Sequence, residues 1–117
     1  MARAPCCITT NVPPSAEATA KVAELSTPTA GRPAGDLSID VARDTTEAGA
    51  YPLILISYQI VCQTYDKASD ASLVKAFETY VVSAEGQDAA AQAAGSAPLS
   101  DALRSKVEAS IAMIKGA

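Results

Sequence analysis

The chain has no histidine, and aromatic residues make up only 4% of its 117 positions. Without histidine there is no imidazole ligand for a metal and no imidazole base at neutral pH. It also has no run of basic residues. A net charge of -4 and a pI near 4.6 leave no basic patch for nucleic acid or an anionic membrane surface. No window holds the ~18 consecutive apolar residues of a membrane span. The start, "MARAPCCITTNVPP", lacks the apolar core of a secretory signal, so the chain as written is expected to carry no export or anchoring information. Three cysteines, Cys6, Cys7 and Cys62, include no CxxC pair. At most one of the adjacent pair can bridge to Cys62, and the simplest expectation is a free, buried Cys62.

Catalytic signatures are equally sparse. The chain has no GxGxxG turn, no phosphate-binding GK[ST] loop and no nucleophile elbow. Asp36, Asp40 and Asp44 are spaced by four, which would align them on a helix, but they fall in a segment that reads as strand and loop. They are expected to be solvated surface acids. Two adjacent thiols, Cys6 and Cys7, do not make a metal site. Tyr51, Tyr58 and Tyr65 recur at intervals of seven, an odd number that alternates strand faces, so these and Tyr80 read as core or core-rim residues. "AGRPAG" around Arg32 resembles an anion nest only loosely, since no helix follows it. The sequence thus predicts no enzyme, no cofactor, no metal site and no identifiable ligand residue.

What the chain does have is length for one small domain and a clear order of elements. Residues 1–12 show no periodicity and read as a disordered or foreign leader, leaving 13–117 as the domain. After Pro13-Pro14, Ser15 can cap a helix through Leu25, with Glu17 in its first turn and Val22 and Leu25 on one face. "STPTAGRPAG" is loop chemistry. Leu37, Ile39 and Val41 then alternate with polar residues as a short half-exposed strand.

The longest apolar run follows, "YPLILISYQIVC" from Tyr51 to Cys62. Even positions Ile54, Ile56, Tyr58, Ile60 and Cys62 point one way, and Leu53, Leu55, Ser57, Gln59 and Val61 the other. Both faces are apolar in its first half, the pattern of a central strand covered on both sides. Ser69 or Asp70 can cap a helix through about Ser83, with Leu73, Phe77, Tyr80 and Val81 as its apolar stripe and Val74 beside it. "AEGQDAAAQAAG" predicts a short helix closed by Gly95. Ser100 caps a last helix with Asp101 in its first turn, a stripe of Leu103, Val107, Ile111 and Ile114, and Lys115 complementing the dipole at its end.

The order of these segments, from "VPPSAEATAKVAEL" through "GAYPLILISYQIVC" to "LVKAFETYVVSAEGQDAAAQAAGSAPLSDALRSKVEASIAMI", resembles the C-terminal part of the actinobacterial phosphate-binding proteins of the PstS family. The resemblance covers roughly residues 12–117. It implies an α/β fold, a C-terminal fragment of a two-lobe type II periplasmic-binding-protein architecture, here one or two strands plus three to four helices. It implies inorganic phosphate and an ABC transporter permease as partners of the full-length parent, and an extracytoplasmic location for the family. With no signal peptide, the chain as written would be cytoplasmic. The family's phosphate contacts lie in earlier segments, and Arg32 and Asp36 match none of them. Two readings result: a partial solute-binding protein that does not itself bind phosphate, or a small non-catalytic interaction module that dimerises or packs on a partner.

Overall fold

The computed structural model describes residues 11–117. The fold is mixed α/β, with four helices and two small sheets. Helix α1, Ala16–Leu25, begins as expected at Ser15, whose Oγ accepts the Ala18 N–H at 3.2 Å. Its inward residues are Ala18 and Val22, and Val22 is fully buried. Beyond it, β1 (Thr27–Pro28) pairs antiparallel with β2 (Ile39–Asp40). The strand expected over Leu37–Val41 is therefore only two residues long.

The second half holds the main core. Strand β3 (Thr64–Tyr65) leads to α2 (Ala68–Val82), α3 (Ala84–Ala94), α4 (Asp101–Ala112) and β4 (Lys115–Gly116). β4 lies parallel to β3, with Lys115 N–H donating to Gln63 O and Ala117 N–H to Tyr65 O, both at 2.9 Å. Ala71, Val82, Ile111 and Ile114 form the buried cluster, and Tyr65, Val74, Leu99 and Val107 pack around it. Close approach of β4 to α2 requires Gly116, where a Cβ would collide with the backbone of Ala68.

Capping fixes the helix ends. Ser83 serves two helices: its N–H donates to Thr79 O and Tyr80 O to end α2, and its Oγ accepts the Gly86 N–H at 3.1 Å to start α3. Gly95 closes α3 in the left-handed region, φ 67°, donating to Ala91 O at 2.8 Å. Ser100 Oγ accepts the Leu103 N–H at 3.4 Å, and Asp101 occupies the first turn of α4, as expected.

Several expectations are corrected. Helix α2 starts at Ala68 after Lys67, which makes no side-chain cap, while Ser69 Oγ bonds Asp70 instead of a backbone N–H. The face of α2 turned inward carries Ala71, Val74, Glu78 and Val82, leaving Leu73, Phe77 and Tyr80 exposed. Gly116 lets β4 approach the start of α2 closely on that side, and the bulky stripe is left outside. Ile114 is buried as expected but lies past the end of α4. Lys115 belongs to β4, and α4 has no cation in its last turn.

The largest correction concerns Tyr51–Cys62. Among the described residues it joins no ladder, because both sheets are two-residue pairs located elsewhere. Leu53, Leu55 and Ile60 are 75%, 90% and 95% exposed, and Cys62 is a free, exposed thiol, not a buried one. With principal extents of 59 × 35 × 19 Å and a radius of gyration of 17.2 Å, the chain is more extended than the ~13 Å typical of 100 compactly folded residues.

Candidate functional site

A shallow cleft of about 240 Å³ separates the end of α1 and the β1–β2 loop from the start of α4. Asp36, Ser38 and Glu24 face it from one side, Ser100 and Lys106 from the other. The groups around Asp36 are already engaged with one another. Asp36 Oδ2 pairs with Arg32 Nη2 at 2.7 Å, while Asp36 Oδ1 accepts the Ser38 N–H at 2.9 Å and the Ser38 hydroxyl. The two bonds from Ser38, and after them Arg32, hold this carboxyl below its ordinary range against the opposing effect of desolvation. Ser100 spends its hydroxyl oxygen on the α4 cap. Two carboxylates and one unpaired lysine line an apolar-walled notch, and this arrangement presents no convergent set of donors to an oxyanion.

The other residues singled out in the sequence do not converge either. Asp40 Oδ1 accepts from Thr29 Oγ1 at 2.8 Å and braces the β1–β2 pair. Asp44 lies in an exposed turn. Among the described residues no group of three or more potential metal ligands comes together. Cys6 and Cys7 lie outside the described residues. The tyrosines form no platform: the Tyr58 hydroxyl accepts the Ile39 N–H at 3.1 Å, the Tyr65 hydroxyl accepts the Cys62 N–H at 3.1 Å, and Tyr80 sits half-exposed on α2.

Three cations are turned on the chain's own carbonyls. Lys21 Nζ donates to Ala48 O at 3.2 Å, Lys75 Nζ to Ala112 O at 3.3 Å, and Arg43 Nη1 to Pro52 O and Ile54 O at 3.3 and 3.2 Å. Arg104 Nη1 lies 3.5 Å from Asp101 Oδ1, and its Nε is buried without a hydrogen bond.

Two polar residues were not anticipated from sequence. Glu78 is buried on the core side of α2, where loss of water pushes its carboxyl up. Its place in the heptad-like run Ala71, Val74, Glu78, Val82 was the available signal. Arg43 grips alternate carbonyls of the apolar run, a role with no sequence signature.

Over 66 residues, 56% of the chain, the sequence is 35% identical to phosphate-binding protein PstS2 of Mycobacterium bovis (strain BCG / Pasteur 1173P2). It is equally similar to phosphate-binding protein PstS 2 of Mycobacterium tuberculosis (strain ATCC 25618 / H37Rv). The match spans only 17% of the length of either relative. No family model matches the chain. No solved structure matches it. These similarities support a distant PstS-like relationship.

Proposed function

We propose that the chain is a scaffold portion of a PstS-type phosphate-binding protein, the solute-binding component of an ABC importer, and that these residues do not themselves hold phosphate. The observation that carries this reading is the 35% identity over 66 residues to two mycobacterial phosphate-binding proteins. The mixed α/β architecture and the fully engaged groups around Asp36 are compatible with a supporting role. In this reading residues 13–117 are part of one lobe region, phosphate is held by segments outside them, and the parent works outside the cytoplasmic membrane beside a permease. No helix among the described residues is long and apolar enough to cross a membrane. Both relatives are named as binding proteins, which accords with a non-enzymatic chain.

The test is a pair of titrations. Isothermal calorimetry of the isolated chain with inorganic phosphate is expected to give no binding heat. A chimera of M. tuberculosis PstS 2, with its matched segment replaced by the corresponding residues of this chain, is expected to retain phosphate binding. Micromolar binding by the isolated chain, or a chimera that folds but loses phosphate, overturns the proposal.

A further inference from the structure

Gln63 stands between the two halves of the chain. Apart from the local contact of Cys62 with Tyr65, one hydrogen bond joins residues 11–62 to the C-terminal core among the described residues: Gln63 Nε2 to Ala34 O, at 2.8 Å. The same nitrogen donates to Met113 Sδ at 3.7 Å, so both of its hydrogens are in use. The Gln63 main chain is held in turn by the Lys115 N–H. Gly35 makes the close approach possible. It lies in the left-handed region, φ 89°, and a Cβ there would stand 2.7 Å from Gln63 Nε2 and 3.0 Å from Met113 Sδ. Met113 is thus wedged between the loop and the side chain that ties the loop down, yet it remains 44% exposed to solvent.

We propose that Met113 is an oxidation site, and that its sulfoxide unclasps the 30–38 loop from the C-terminal core. The co-reactant is a peroxide. Its O–O bond breaks, one oxygen joins the sulfur and gives its proton to the other, and that second oxygen leaves as water. The sulfur loses two electrons and the peroxide gains them. The product cannot keep the clasp in either orientation. With the oxygen turned outward, the sulfur faces Gln63 with the positive end of the S–O dipole, and a weak acceptor becomes a group that repels the N–H. With the oxygen turned inward, it lies between atoms only 3.7 Å apart, nearer the nitrogen than a hydrogen bond allows, and against Gly35, where even a methyl lacks room. Gln63 holds Ala34 O through that same nitrogen, so moving it off the sulfur releases both. The loop carries Asp36 and Ser38 on one wall of the cleft, while Leu103 and Lys106 on the other wall stay with α4. Oxidation therefore frees one wall of the cleft from the other.

The proposal is independent of the phosphate reading, and no phosphate titration bears on it. It is tested on the full chain with Cys6, Cys7 and Cys62 replaced by serine, so that peroxide acts on no thiol. Hydrogen peroxide is expected to add one oxygen to the tryptic peptide that carries Met113, read by mass spectrometry. In amide NMR spectra of the oxidised chain the Gln63 side-chain amide should shift. The Asp36 and Ser38 amides, bonded only within the loop, should exchange about tenfold faster, the scale of one net hydrogen bond. The Lys115 and Ala117 amides should keep their protection, and methionine sulfoxide reductase should reverse the change. Gln63→Ala should give the fast-exchanging loop without peroxide, and Met113→Leu, which has no sulfur, should not respond to it. A sulfoxide at Met113 with an unchanged loop overturns the proposal, as does a Met113 that stays unoxidised. So does a Gln63→Ala loop that exchanges as slowly as the unsubstituted one, or a Met113→Leu chain that still responds to peroxide.

Discussion

Ile111 and Ile60 are the same residue in two very different surroundings. Ile111, on α4, is 8% exposed among Ala71, Val82 and Ile114, while Ile60 is 95% exposed. The C-terminal region closes because three helices and a two-residue parallel sheet reach it from several sides. The run from Leu53 to Cys62 is more apolar, yet lies uncovered because no element of the described chain pairs with it. Hydrophobicity alone does not bury a segment; it needs partners for its backbone as well as for its side chains.

The sharpest way to break that contrast is to truncate both isoleucines. Ile111→Ala should cost about 2–5 kcal/mol in urea unfolding, whereas Ile60→Ala should stay within about 0.5 kcal/mol. Equal losses would mean that the exposed run contributes to the core after all. Gly116→Ala tests how closely β4 sits on α2. The new methyl meets the backbone of Ala68, and displacing it should cost about 1–3 kcal/mol, with faster hydrogen exchange at the Lys115 and Ala117 amides. A smaller effect is expected from Ser83→Ala, which removes the α3 N-cap at about 1 kcal/mol and can be followed by thermal unfolding.

The smallest effect is pH-dependent and sets Glu78 against Asp36. Burial raises the Glu78 pKa above its usual 4.5, so the folded state binds more protons than the unfolded one and stability falls as pH rises from about that value through the raised one. Glu78→Gln should therefore stabilise the chain at neutral pH and lose that advantage in acid, in parallel melts of the two proteins. Asp36 has the opposite sign. Its stabilising contribution is present above 3.8 and is lost as pH falls through its lowered value, so Asp36→Asn should matter near neutrality and not in strong acid.

Local features were legible in the sequence where one residue decides them. Ser15 and Ser100 as caps and Gly95 as a helix stop all follow from side-chain chemistry adjacent to the backbone they serve. The cover expected on both faces of Leu53–Ile56 is not found, because cover depends on neighbours that a local pattern does not specify. Helix α2 was misread for a related reason. Leu73, Phe77 and Tyr80 make the more apolar stripe, but the small side chain of Ala71 and the bare Gly116 allow tight contact on the opposite side. Around Asp36 the sequence showed the acids and Arg32. It did not reveal that they bind each other, since the Arg32–Asp36 pair depends on the loop's conformation.

The parallel pairing of β3 with β4 also has a temporal consequence. Gln63 and Tyr65 take their backbone partners from Lys115 and Ala117, with all three C-terminal helices intervening. During synthesis those carbonyls emerge from the ribosome long before the strand that pairs with them. The sheet that seats Gly116 on α2 can therefore form only after translation has passed residue 117, and α2 through α4 must wait for it with their shared core incomplete.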